Sequence, residues 1–432
     1  MSQTLSELQN TLQKYGQEHL LQFWDTLKPS EQSCLQEQIH SLDLELVQKL
    51  SKTLLGQKSS SKLPQEGYLE KDIAPLDAAD LATTLQVDKQ RWQELGLEAL
   101  KKGQVAALVV AGGLGTRLGH KGPKGTLNIG LPSKKSLFQI QAQRIQSLGE
   151  SVSRNIPWYI MTSPNNHRET VEHFKKYSHN LDPEDFFFFS QAQMPAVDTE
   201  GKILMASTYS LALSPNGNGG CFLALKDSGA LEDMKQRGVQ YVFFYSVDNA
   251  LVQIADPVFI GYMIEKQAPV ASKVVSKSKP EEKVGVLALH KNKPSIIEYS
   301  DMPKELLELR DDKEELLYNN GNIAIHCFHL NFLEQYGTSS LPYHKAYKKV
   351  TYVDKYGDIQ VPSQENGYKF ELFMFDLFPF ASSMATLRVL REEEFAPIKN
   401  KEGTDSPASA RELMASLYQK AKSKGIDRQD LL

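Results

Sequence analysis

The sequence predicts an α/β protein: a mixed, mainly parallel sheet covered by helices on both faces, with a helical N-terminal region before it. Two textures along the chain carry this reading. Early on, Leu5, Leu8, Leu12, Tyr15, Leu20 and Phe23 fall at mostly helical spacings. From Val105 onward, short β-rich runs alternate with helical patterns, as strands joined by helical crossovers do. The size agrees: 432 residues, 41% hydrophobic and 24% charged, suffice for two or three domains or one large α/β domain with attachments.

Taken in order, residues 1–95 form the helical N-terminal region. Pro29 punctuates it, helical stretches continue to about Leu55, and "GQKSSSKLPQEG" reads as a linker. The polar helix "DKQRWQELGLEALKKG" ends at Gly103, a plausible C-cap. Residues 96–400 form the main domain. Its strand candidates are "VAALVV", "PWYIMTS", "FFFFSQ", "VQYVFFYSVDN", "ASKVVSK", "VGVLALH", "GNIAIHCF" and "MATLRVL". Between two of them, "SPNNHRETVEHFKKY" reads as a helix with Ser163 as N-cap and Pro164 in the first turn. His326 and Cys327 fit a packed strand better than a metal site. Residues 401–432 form a short helical tail.

Composition excludes several function classes. A net charge of -4 argues against non-specific nucleic-acid binding as the main task. Cys34, Cys221 and Cys327 are too sparse for a disulfide framework and give no CxxC pair, so a reducing compartment is expected. The start, "MSQTLSELQNTLQKYGQ", has no apolar signal region, and no window approaches ~18 uninterrupted apolar residues. The expectation is a cytoplasmic protein with neither membrane nor nucleic-acid partners.

One stretch points to chemistry. "VVAGGLGTRLGHKGPKG" follows an apolar strand and mixes glycines with Arg117, His120, Lys121 and Lys124. Glycines let the backbone approach a ligand and turn N–H groups inward, and the cations add positive charge. Together they fit a di- or triphosphate better than a basic surface turn. The dinucleotide fingerprint fails: from Gly113 the order is G-L-G-T-R-L, and the third glycine arrives one residue late, at Gly119. The Walker A pattern is absent as well.

The run "AGGLGTRLG…PKG…GLPSKKSLFQIQAQRI" resembles the eukaryotic-type UDP-N-acetylhexosamine pyrophosphorylases, within the wider UDP-sugar pyrophosphorylase family. The resemblance extends in order over roughly residues 88–410, through "IPWYIMTS", "PNGNGG", "SKVVSKSKPEEKVGVL", "IIEYS", "NNGNIAIH", "NGYKFELFMFDLF" and "LREEEFAPIKN". It implies a Rossmann-like nucleotidyltransferase core that joins UTP to a sugar 1-phosphate. Family members of this kind continue into a further small C-terminal domain, which the sequence after "APIKN" does not show; the oligomeric state is left open.

Both reactants of such a transfer are anions, so positioning and charge neutralisation carry the catalysis. The resemblance implies nucleotide contacts from Ala111, Gly112, Gly113 and Gly115. Arg117 suits the leaving phosphates, since guanidinium binds phosphate oxygens in bidentate fashion. Lys124 suits the α-phosphate, and Lys399 in "APIKN" matches a phosphate-reaching lysine. Asp248 ends the apolar run "YVFFYSVDN" at the ligand-bearing edge of the sheet and is the expected Mg²⁺ ligand; in isolation it would read as an Asx turn or helix cap. Gln191 has the donor and acceptor an imide edge needs, although Ser190, Ala192 and Gln193 around it depart from the family pattern. Gly217 is assigned to the uridine, and Asn218, Glu298 and Asn322 to the sugar. Their bland readings are a hairpin turn, a cross-strand pair and a turn.

The match favours N-acetylglucosamine 1-phosphate as the sugar substrate. N-acetylgalactosamine 1-phosphate stays open, and so does glucose 1-phosphate, because "GHKGPKG" also resembles the UDP-glucose pyrophosphorylases. A non-catalytic UDP-sugar-binding regulator is the alternative from another class.

Overall fold

The computed structural model describes residues 5–55, 68–177, 181–337, 339, 341–426 and 428–432. The expected linker, 56–67, lies outside the described residues. The chain folds into two compact units, one of residues 1–65, 192–220 and 341–373, the other of 66–191, 221–340 and 374–432.

The larger unit is built on a mixed, mainly parallel sheet. Its long strands are β1 (Val105–Val110), β2 (Trp158–Thr162), β3 (Phe186–Ser190), β4 (Tyr241–Ser246), β5 (Val270–Ser276), β6 (Asn320–His329) and β7 (Met384–Arg388). The spatial order is β7-β5-β6-β4-β1-β2-β3, with the short strand Ala79–Asp80 at the β7 edge. β4, β1, β2 and β3 run parallel, as do β5 and β7, while β6 lies antiparallel to both β4 and β5. Strands covered on both faces need no polar alternation, and Val105, Ala106, Ala107, Leu108 and Val109 are all buried.

From β1 the chain winds outward through β2 to β3, then returns to place β4 on the other side of β1. The β1–β4 boundary is therefore a topological switch point, where loops at the carboxyl ends of strands diverge and leave a crevice. Ser246 pairs with Val110 at that end.

Helix Leu137–Val152 supports the boundary. Ser136 caps it, with Gln139 closing a capping box. Its Phe138 packs with Trp158 and Phe174 in the main core, with Phe138 and Phe174 ring centroids 5.0 Å apart. His326 and Cys327 are buried in β6, as a packed strand requires, and burial pushes the His326 imidazole down to about 3.

The smaller unit gathers its core from three separate segments. Leu8, Leu12, Leu35, Ile39 and Val47 of the N-terminal helices pack with Met194, Val197, Met205 and Phe370. Strands Tyr343–Lys348 and Gly367–Leu372 pair antiparallel within it.

The units divide the chain differently from the boundaries at 95 and 400. Residues 66–95 group with the sheet, and Trp92 of helix Gln86–Lys101 is part of the main core. The tail also groups with the sheet unit: Ala410, Met414 and Leu431 bury themselves against Leu118, Ile129 and Leu131. Long-range apolar packing draws these groups together, and linear composition does not display it.

The predicted cap Ser163 is also displaced. The helix spans His167–Lys176, with Asn166 at its N-cap position. Residues Ser163–Asn166 form a turn closed by Asn166 N donating to Ser163 O (3.0 Å), so the helix starts one turn later.

Candidate functional site

The glycine segment leaves the end of β1 and folds back on itself. Gly115 N donates to Gly122 O (3.0 Å), His120 N to Gly115 O (3.1 Å) and Lys124 N to Gly113 O (3.0 Å). These bonds return Lys124 to the strand end from which the loop departed.

Side chains from the turn after β2 fix the start of the loop. Ser163 Oγ donates to Gly112 O (2.8 Å), and Asn166 Nδ2 to Ala111 O (2.9 Å) and Gly113 O (3.3 Å). The carbonyls are thereby held by protein groups. Sequence reasoning took Ser163 for a helix cap and missed this role; the Ser-Pro-Asn-Asn pattern fits both.

Gln191 follows β3 and is buried against the loop: a Cβ on Gly112 would lie 2.2 Å from Gln191 Nε2. A side chain at 112 would push the Gln191 amide from this place. Gln191 Oε1 is buried with no hydrogen-bond partner among the described residues, an acceptor left over beside the glycine loop.

Across the switch point, Lys124 Nζ lies 3.1 Å from Asp248 Oδ2, with each side chain 18% exposed. Helix Leu137–Val152 braces the Asp248 loop from below. Gln141 Nε2 donates to Val247 O (3.0 Å), and Arg144 Nη1 to Ala250 O (2.8 Å) and Val252 O (3.1 Å). Arg144 is itself paired with Asp430 at 2.8 Å. Arg117 is exposed on the short helical turn Thr116–Leu118 and has no ion-pair partner among the described residues.

A cavity of about 300 Å³ brings Asp248, Glu298, Asn322 and Lys399 together. Ser246, Lys283, Arg391 and Asp405 also line it. A bulge in β6 shapes one wall. Lys273 pairs with Ile325 but Val274 with Asn322, so two residues are looped out, and Ala324 takes a left-handed φ of 55°. Asn322 Oδ1 accepts from Ala324 N (3.0 Å) and stabilises the bulge.

Lys399 is exposed, and its segment is zipped to the Asp248 loop. Ile398 N donates to Asp248 O (3.0 Å), Ala250 N to Ala396 O (3.0 Å), Ala396 N to Asn249 Oδ1 (3.0 Å), and Asn249 Nδ2 to Glu394 O (2.8 Å). Lys283, Arg391 and Asp405 were not foreseen as wall residues, although Arg391 belongs to the quoted "LREEEFAPIKN". It pairs with Glu282 at 2.7 Å.

Gly217 and Asn218 belong to the smaller unit. There Gly217 has φ +90°, and a Cβ on it would lie 2.3 Å from Leu372 O, so glycine is required on both grounds. Leu372 N donates to Asn216 O (2.7 Å), seating the turn.

Among the described residues no cluster of three or more His, Cys, Asp or Glu side chains could hold a metal. Asp248 is a partly exposed oxygen donor beside the phosphate-binding candidates, which suits Mg²⁺ with phosphate and water as its remaining ligands. Among the described residues no helix is long and apolar enough to cross a membrane. Cys34, Cys221 and Cys327 are free thiols.

The family model described as UTP–glucose-1-phosphate uridylyltransferase matches residues 48–421. UDP-N-acetylglucosamine diphosphorylase 2 of Arabidopsis thaliana is 40% identical, covering 94% of this chain and 82% of that protein. UDP-N-acetylglucosamine pyrophosphorylase of Saccharomyces cerevisiae is 37% identical, covering 92% and 86%. In structure, the uridine diphosphate N-acetylglucosamine pyrophosphorylase of Trypanosoma brucei, solved with an inhibitor, superposes with a TM-score of 0.80 at 29% identity, over 97% of this chain and 87% of that one.

Proposed function

Since this chain belongs to the UTP–glucose-1-phosphate uridylyltransferase family, we propose that it joins UTP and N-acetylglucosamine 1-phosphate to give UDP-N-acetylglucosamine and pyrophosphate. The observation that carries the reading is the meeting of Lys124 and Asp248 at the sheet's switch point, at the mouth of a glycine loop. The relatives named above support the choice of sugar.

In the transfer, a phosphate oxygen of the sugar 1-phosphate bonds to the α-phosphorus of UTP. The bond from that phosphorus to the bridging oxygen breaks, and pyrophosphate leaves with the electron pair. No covalent enzyme intermediate is needed. Lys124 neutralises the α-phosphate, Arg117 the leaving β- and γ-phosphates, and Lys399 the incoming sugar phosphate. The backbone at Ala111, Gly112, Gly113 and Gly115 lines the nucleotide. Gln191 Oε1, without a partner among the described residues, is an acceptor for the uracil imide N–H. Glu298 and Asn322 hydrogen-bond the sugar.

Asp248 would hold a Mg²⁺ ion, which when bound supplies further positive charge for the phosphates. Free thiols and the lack of a membrane-crossing helix among the described residues support a cytoplasmic location.

Pyrophosphate release with UTP and Mg²⁺ tests the reading. Faster release with N-acetylglucosamine 1-phosphate than with glucose 1-phosphate is expected. The reverse order would move the activity to UDP-glucose synthesis. Release with neither, alongside UDP-sugar binding, would make the protein a binding regulator.

A further inference from the structure

Lys273 lies in β5 with none of its surface exposed, an unusual place for an ammonium group. Its Nζ is 2.6 Å from Asp256 Oδ2 and 2.6 Å from both carboxylate oxygens of Glu394. It also sits 5.5 Å from the Phe259 ring centroid. One cation thus serves two buried carboxylates from distant parts of the chain.

The two carboxylates mark the ends of two site-bearing segments. Asp256 closes the loop that begins at Asp248, and its other oxygen accepts from Val258 N (3.0 Å) at the head of helix Pro257–Lys266. Glu394 opens the segment that ends at Lys399. Between these ends the segments are zipped by the four hydrogen bonds around Asn249 and Ala396 described above. The ammonium therefore ties together the far ends of the strips that carry Asp248 and Lys399. Burial opposes the charge on Lys273, yet the Asp256 and Glu394 carboxylates raise its proton affinity above the ordinary lysine value.

We propose that Lys273 is a positioning residue that, through Asp256 and Glu394, fixes the placement of Asp248 relative to Lys399. It does not touch the reacting phosphates. The proposal rests on the transferase reading of the site. A buried ion pair contributes little net stability compared with well-packed neutral groups, so registry of the two strips is the role that the arrangement serves.

The test uses the neutral triple variant Lys273→Met/Asp256→Asn/Glu394→Gln in the full chain, since Lys273→Met alone would strand two buried carboxylates. Thermal unfolding, UTP binding by calorimetry, and kcat and KM for pyrophosphate release are compared with wild type. The expected result is a cooperative fold, UTP affinity within about threefold, and kcat reduced about 10- to 100-fold, because small misplacements of charge at a reacting centre have effects of that order. A folded triple variant with kcat within about twofold of wild type would overturn the proposal. So would kcat and UTP affinity falling in parallel, which marks a general structural role. If the triple variant does not fold, Glu394→Gln alone decides: it leaves the Lys273–Asp256 pair and loosens only the Lys399 strip. Several-fold loss of kcat with unchanged UTP affinity supports the proposal, and unchanged kcat overturns it. Wild-type protein that releases no pyrophosphate would instead overturn the transferase reading.

Discussion

The Lys124 ammonium and the Asp248 carboxylate meet at 3.1 Å, one carried back by the glycine loop after β1 and the other leaving the end of β4. The pair holds opposite charges across the switch point. On the proposed transfer, the α-phosphate would take Lys124 and a Mg²⁺ ion would take Asp248.

Lys124→Ala should therefore act on turnover. Removing one positioned donor from a transition state typically costs about 10²- to 10³-fold in kcat. UDP-sugar affinity should change much less. Steady-state pyrophosphate release and calorimetry with UDP-N-acetylglucosamine separate the two, and near-wild-type turnover would remove Lys124 from the chemistry.

Asp248→Asn keeps the side chain's shape and removes its charge. The Mg²⁺ concentration for half-maximal activity should rise about tenfold or more, because a hard divalent cation loses its protein carboxylate. A titration of activity against Mg²⁺ checks this, and an unchanged requirement would place the metal elsewhere.

Two neighbouring glycines should behave differently. Among the described residues a methyl on Gly113 meets nothing within 4 Å, whereas one on Gly112 runs into Gln191. Gly113→Ala should leave stability within about 0.5 kcal/mol, as for substitutions away from packed features, yet weaken UTP binding by intruding on ligand space. Gly112→Ala should lower both. Thermal scans with and without UTP discriminate.

The pH dependence of stability carries a signature of Glu394. Burial pushes its carboxyl up to about 7 from an ordinary 4.5, opposed by Lys273 and reinforced by Asp256 and Glu393. One ammonium shared with Asp256 offsets only part of the cost of burying the Glu394 charge. A raised folded value stabilises the fold fully below the unfolded value and loses that contribution as pH rises through the folded one. Between about pH 4.5 and 7 this group should lower the unfolding midpoint as pH rises, and Glu394→Gln should flatten that slope.

Arg144→Met should destabilise the protein by about 1–3 kcal/mol, because it leaves Ala250 O and Val252 O without these donors while Arg428 still pairs with Asp430. Burial opposes the charge on Asp430, but Arg428 and Arg144 hold its carboxyl well below the ordinary range. That contribution is present above the unfolded value and is lost as pH falls. Chemical denaturation of wild type and variant at neutral and acid pH measures both effects.

The sheet was legible because its strands are buried on both faces: "VAALVV" has no other sensible place. The place of Asp248 just beyond the end of β4 was legible because a polar residue follows an apolar strand. Lys273 was not, since a lysine in "ASKVVSK" reads as an exposed strand position, and one partner, Glu394, lies 121 residues away. Ser163 satisfied a capping pattern, but the Gly112 carbonyl took its hydroxyl. Membership of the smaller unit was illegible for a related reason. Nothing local in "QMPAV" or "GYKFEL" reveals that these segments cover the N-terminal helices.

That last arrangement bears on the order in which the chain is made. Leu8 and Leu12 emerge from the ribosome long before Phe370, which belongs to the same core. The opening helices must wait with their apolar stripes uncovered, or borrow cover, while the intervening sheet is assembled. The glycine loop, its bracing turn and β4 are all complete well before then. Nascent chains with residues up to His329 outside the exit tunnel should already protect the strands around the switch point from protease, while the segment from Leu5 to Leu50 stays open to cleavage until residues beyond Leu372 have been released.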